Sequence, residues 1–222
     1  MGTVISMSEW RQRRRCDAPA PTPPPARRAA RSTFLFDLAS PWTYLAAERV
    51  DRLFPDVRWR PASGEALAGG VASDTRQRRV RDAVERRADE LQLPVVWPEA
   101  PSHGRGAMRV ASLAAERGCA APFVLAATRL AFCGGYDLDH PEILAEAAAA
   151  ADLELDAALR AAGDAGRDVD LERAAQRVAG LGASELPALI VGRLLFAGER
   201  RMAEAAAAVA GPIDERPRRA QR

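Results

Sequence analysis

The sharpest change of pattern along the chain falls at Ser40-Pro41. Upstream, STFLFDLA (32–39) is a short, nearly continuous apolar run of strand length. Downstream, Trp42, Leu45, Ala46, Val50, Leu53 and Phe54 recur at helical spacing. Pro55-Asp56 ends that helix. VRWRP (57–61) then alternates Val57 and Trp59 against Arg58 and Arg60, the pattern of a second strand. Strand, helix and strand within about thirty residues predict a βαβ unit with parallel strands.

A long helical stretch follows. Val80, Val84, Ala88 and Leu91 mark one stripe; Met108, Ala111, Leu113 and Ala115 a second; Phe123, Ala127, Leu130 and Ala131 a third. Asp139-His140-Pro141 opens ILAEAAAAA, with His140 as a helix-start residue and Ile143, Leu144, Ala147 and Ala151 on one face. These stripes are most simply core faces. Beyond residue 166, Leu171, Ala174, Ala175, Val178 and Leu181 predict one more helix. ELPALIVGRLLFAGERRM then reads as a hairpin, ALIV and LLF joined by Gly192-Arg193, with Gly placed first as a type II′ turn requires. A last helix is expected over 199–210.

Composition narrows the picture. The chain has 222 residues, 48% apolar but only 5% aromatic, so a core built mostly from Ala, Leu and Val is expected. All 32 basic residues are Arg. The net charge of +2 conceals basic ends: residues 33–213 hold 21 Arg against 26 acids. An acidic body is a poor platform for nucleic acid. No stretch reaches the ~20 apolar residues a membrane span needs, and the Pro-rich start has no apolar core of a signal peptide, so a cytoplasmic protein is expected. Residues 1–32 and 213–222 read as disordered tails. Cys16, Cys119 and Cys133 are odd in number and widely spaced, which argues against a disulfide framework and a zinc site.

Ser40 admits two readings. Ser is a favoured N-cap and Pro suits the first helical position, so capping explains the pair. Equally, a hydroxyl at a helix N-terminus sits where backbone N–H groups and the helix dipole favour an anion. Two other residues have plain readings as well: His103, in Pro-Ser-His-Gly, as an exposed turn residue, and Pro187 as an ordinary trans proline.

With the helical block removed, the order of elements is βαβ–αββα. That order, the SPWTYL helix start and Pro187 just before the hairpin resemble the DsbA-type thioredoxin superfamily. More specifically, Phe36-Asp37-Leu38-Ala39-Ser40-Pro41-Trp42-Thr43-Tyr44-Leu45 is similar to the F-D-x-x-S-P-[YW]-[ST]-[YW]-L of 2-hydroxychromene-2-carboxylate isomerases and kappa-class glutathione transferases. Ala107-Met108-Arg109 and 186–202 resemble two further segments of that family, in the same order. The resemblance implies an α/β, thioredoxin-like fold with an inserted all-helical domain: 33–63 and 167–212 as the thioredoxin-like part and 64–166 as the insertion. It also implies glutathione, or another low-molecular-weight thiol, as the cofactor.

Redox members of the superfamily begin this helix at Cys-x-x-Cys; residues 40–43 here are Ser-Pro-Trp-Thr, and dithiol exchange needs two thiols. The resemblance instead implies Ser40 as the catalytic residue, its hydroxyl bonded to the thiolate of glutathione. Reversible thiolate addition to a conjugated or aromatic substrate gives cis/trans isomerisation; irreversible addition gives transfer. Pro41, His103, Leu186, Pro187, Glu199 and Arg200 are the implied binding residues, Leu186-Pro187 through a cis peptide. Two positions depart from the family: His103 stands for its Asn, and Arg200 for the Asp that holds the ammonium of the thiol, with Glu199 the nearest carboxylate. A thioredoxin-fold binder of acidic or aromatic carboxylates that has lost thiol chemistry is the reading from another class. Family members often dimerise, so the resemblance also allows a homodimer.

Overall fold

The computed structural model describes residues 32–54, 56–68, 74–99 and 104–210. β1 (Ser32–Phe36), β2 (Arg58–Pro61), β3 (Ala188–Val191) and β4 (Leu194–Ala197) form one sheet in the order β2-β1-β3-β4. β1 and β2 run parallel with Phe34 opposite Trp59, joined by α1 (Pro41–Leu53), as the alternation predicts. β3 is antiparallel to both β1 and β4. In the tight β3–β4 turn, Gly192 takes φ 60°, a conformation that costs glycine little.

Between β2 and β3 lie α2 (Gly64–Ala68), α3 (Asp74–Leu91), α4 (Arg105–Arg117), α5 (Ala120–Phe132), α6 (Pro141–Ala149), α7 (Leu155–Gly163) and α8 (Asp168–Gly180). α9 (Met202–Ala210) closes the described chain. His140 does stand at the start of α6. Two boundaries differ from expectation. The first strand stops at Phe36, because 37–40 form a turn; the last helix begins at Met202, because Glu199–Arg201 is a 3₁₀ turn.

Side-chain alternation along the strands divides the core. Phe34, Phe36, Trp59, Leu189, Val191 and Phe196 face one side, against Tyr44, Leu45 and Val50 of α1, Met202 of α9 and the apolar faces of α4 to α7. Trp59 meets Phe34 edge to face at 4.9 Å between ring centres, an orientation that ring quadrupoles favour. Leu35 and Ala188 face the other side, covered by Ala174, Ala175 and Val178 of α8. The helices pack through small residues. At Gly106 of α4 an added Cβ would lie 3.7 Å from Ala162 Cβ of α7, ordinary contact.

Candidate functional site

The site begins at the turn between β1 and α1. Asp37, 9% exposed, is the hub of that turn. Its Oδ1 accepts the Ala39 N–H at 2.8 Å and its Oδ2 accepts the Gly64 N–H at 2.5 Å, while its carbonyl accepts the Ser40 N–H at 3.2 Å. Burial pushes the Asp37 carboxyl above its ordinary range, against the pull of those two backbone donors. Gly64 is required there, since a Cβ would stand 2.7 Å from Oδ2. Leu38 N–H points at Met108 Sδ, 3.2 Å away, so α4 supports the same turn.

Ser40 occupies the N-cap position of α1 with extended backbone, φ −89° and ψ 118°, and Pro41 follows as the first helical residue. Yet its side chain makes no capping bond. The backbone carbonyl of Ser40 accepts the Thr43 N–H at 2.9 Å instead. The hydroxyl reaches across the chain as a long donor to the Leu186 carbonyl at 3.5 Å. The Leu186–Pro187 peptide is cis. The fold thus brings together Ser40 and Leu186-Pro187, 146 residues apart between Ser40 and Leu186.

Beside Leu186 opens a cleft of about 450 Å³, lined by Trp42 of α1, Arg79 of α3, Glu185 before the cis bond, and Gly198 and Arg200 after β4. Arg76 and Arg201 also border it. Arg201 is engaged on its own turn, bonded to Glu204 at 2.8 Å and stacked over Phe196. Glu199, 3% exposed, turns inward. Its Oε2 accepts Arg87 Nε at 2.8 Å, and its Oε1 accepts the guanidinium of Arg49. Two cations thus neutralise this carboxylate within the fold. Arg200 is exposed on the cleft wall. His103 lies outside the described residues.

Arg109 joins the site's supporting frame. It grips Asp168 at the start of α8 through Nε–Oδ1 at 2.8 Å and Nη2–Oδ2 at 2.7 Å. Among the described residues no group of three or more His, Cys, Asp or Glu side chains is arranged to hold a metal ion, and no helix is long and apolar enough to cross a membrane. Cys119 and Cys133 flank α5, about 21 Å apart by helical rise, far beyond disulfide reach.

The DSBA-like thioredoxin domain matches residues 33–210. The chain belongs to the DsbA-like thioredoxin family. No curated protein matches it. Among solved structures, 2-hydroxychromene-2-carboxylate isomerase is similar with a TM-score of 0.68 at 17% identity, covering 81% of this chain and 94% of that one. A probable DsbA oxidoreductase from Streptomyces coelicolor follows at TM-score 0.64 and 21% identity, covering 85% and 92%. A protein assigned as a disulfide isomerase from Nitrosomonas europaea matches at 0.60 and 17%, covering 82% and 100%. At these identities the likeness is one of fold, and it spans isomerase and oxidoreductase alike.

Within this DsbA-like frame, three contributors carry no role in the sequence reading. Asp37 was visible only as a letter of a quoted motif, and Met108 only as a motif letter and a position on a core stripe; their shared task is to hold the turn that presents Ser40. Glu185 precedes Leu186-Pro187 and enters the cleft because Gly198 leaves room for it.

Proposed function

We propose that this DsbA-like protein is a small-thiol-dependent enzyme of the 2-hydroxychromene-2-carboxylate isomerase type, with glutathione as the thiol and Ser40 as the group that holds its sulfur. One observation carries the reading. The Ser40 hydroxyl stands at the N-terminus of α1, makes no capping bond and faces the cis Leu186–Pro187 peptide. A thiolate placed against it would gain an O–H donor and the positive end of the helix, and both lower a thiol pKa. Addition of that thiolate to a conjugated aromatic substrate makes a rotatable bond, and its expulsion completes the isomerisation. Kappa-class-like glutathione transfer uses the same first step. The Ser-Pro-Trp-Thr of residues 40–43 argues against dithiol exchange, which needs an attacking and a resolving thiol.

The test is the ultraviolet absorbance of the thiolate in glutathione bound to the full chain, followed across pH. The expected result is a bound thiol titrating below the ~8.5 of a free cysteine thiol, and returning toward it in Ser40→Ala. A thiol unshifted in both proteins sinks the assignment of Ser40.

A second reading rests on a different observation. Glu199 is already paired with Arg49 and Arg87, while Arg79 and Arg200 line the cleft. That charge pattern also suits an aromatic carboxylate bound without thiol chemistry. Binding of such acids by a protein indifferent to glutathione would favour it.

A further inference from the structure

We propose that Glu185, and not Glu199, is the carboxylate that receives the ammonium of the thiol ligand, with Arg79 and Arg200 receiving its carboxylates. The inference rests on the thiol reading above and names the residues that would set its ligand specificity.

The argument starts from what Glu199 can no longer do. Both of its oxygens accept guanidinium N–H groups, and its side chain has no exposed surface. An ammonium brought to it would meet Arg49 and Arg87 first, at like charge. Arg200, the next residue, repels a cation outright.

Glu185 is placed differently. It is exposed, lines the same cleft, and enters no ion pair among the described residues. Its carboxylate rests against Gly198: a Cβ built at Gly198 collides with Glu185 Oε1. Gly198 holds φ 90° and ψ 146°, a backbone region nearly restricted to glycine, so the seat for that carboxylate is set by the chain itself. Glu185 also directly precedes Leu186, whose carbonyl faces Ser40. Its Cα lies at most ~7 Å along the chain from that of Pro187. The Ser40 hydroxyl thus meets the residue that follows Glu185, at the edge of the cleft that Glu185 and Leu186 both line.

Charge complementarity completes the case. Glutathione carries one ammonium and two carboxylates. Of the two carboxylates lining the cleft, Glu199 is taken by Arg49 and Arg87, which leaves Glu185; of its guanidinium groups, Arg79 and Arg200 come from two different elements, with Arg76 beside Arg79 and Arg201 held by Glu204. Guanidinium is well suited to carboxylates, and charge-assisted bonds are the stronger class.

The experiment is calorimetric titration of the full chain and of Glu185→Gln with glutathione and with N-acetylglutathione, which keeps the thiol and both carboxylates but lacks the ammonium. Wild type is expected to bind glutathione about tenfold more tightly than the acetylated form, and Glu185→Gln to bind the two alike, at the weaker level. If wild type prefers glutathione and Glu185→Gln keeps that preference, Glu185 is not the ammonium site and the thiol reading stands. If wild type binds both equally, no ammonium is read, and the inference fails alone. If wild type binds neither, the thiol reading and this inference fall together.

Discussion

Arg109 and Asp168 meet face to face, two N–H groups of the guanidinium on the two oxygens of the carboxylate, while Arg109 Nη1 bonds the Ala162 carbonyl at 2.9 Å. One side chain of α4 thereby fixes the end of α7 and the start of α8. The pair holds the Asp168 carboxyl below its ordinary range near 3.8. A depressed folded pKa means stability that is present above 3.8 and lost as pH falls through the folded value. Arg109→Lys gives up the fork geometry and is expected to cost about 1 kcal/mol at neutral pH in urea unfolding. The gap to wild type should narrow once Asp168 is protonated. A gap unchanged in strong acid would assign the loss to packing.

Asp37 runs the opposite way. Its raised pKa, caused by burial, means that the folded protein holds this proton to higher pH than the unfolded chain does. The charge therefore subtracts stability above the folded pKa, and the penalty is relieved as pH falls toward 3.8. Asp37→Asn removes the charge but turns an N–H against that of Ala39 or Gly64, leaving a buried donor without an acceptor. The acceptor loss should dominate, at about 1–3 kcal/mol. A more stable Asp37→Asn would mean that desolvation outweighs it.

Ser40→Ala tests the absent cap. Removing an ordinary capping serine costs about 1 kcal/mol. Here the side chain makes no such bond, so the unfolding free energy should change by less than about 0.5 kcal/mol, while the bound thiol loses its pKa shift. A full capping loss would show that the hydroxyl returns to the helix in solution.

The two glutamates near the cleft should separate cleanly. Glu199→Gln leaves Arg49 without its counter-charge and Arg87 with Glu90 alone, and about 2–4 kcal/mol of stability should go with it. Glu185→Gln, on the surface, should unfold as wild type does. Equal losses would contradict the burial difference between them.

Gly198→Ala meets a backbone penalty at φ 90°, and its Cβ also displaces the Glu185 carboxylate, the free end of an exposed side chain. About 1–3 kcal/mol is expected from the backbone alone. Combining it with Glu185→Ala should recover only the part owed to that displacement, a comparison that thermal unfolding of the four proteins makes directly.

The elements legible in the sequence are those whose cause is local. The change of period at Ser40-Pro41 and the Gly192-Arg193 turn are written in adjacent letters, and both stand in the structure. α7 went unmarked because its core face is made of small residues, Ala157, Ala158 and Ala161, while its leucines, Leu155 and Leu159, are exposed; the chain turns before it at Asp152, which takes φ 54°. The cis state of Leu186-Pro187 was readable only through family resemblance. The state of Glu199 was not readable at all, since Arg49 and Arg87 lie 150 and 112 residues away in the chain. The role of Glu185 likewise depends on a glycine across the cleft.

Pro61 ends β2, which is an outer strand of the sheet. It has no N–H to offer an incoming strand, and its neighbours Arg58 and Arg60 are exposed and charged. Lysine or arginine and proline on an outer strand discourage strand-to-strand association between chains. Pairing of two copies through a continuous sheet is therefore disfavoured on the β2 side, which leaves β4 as the outer strand free of proline.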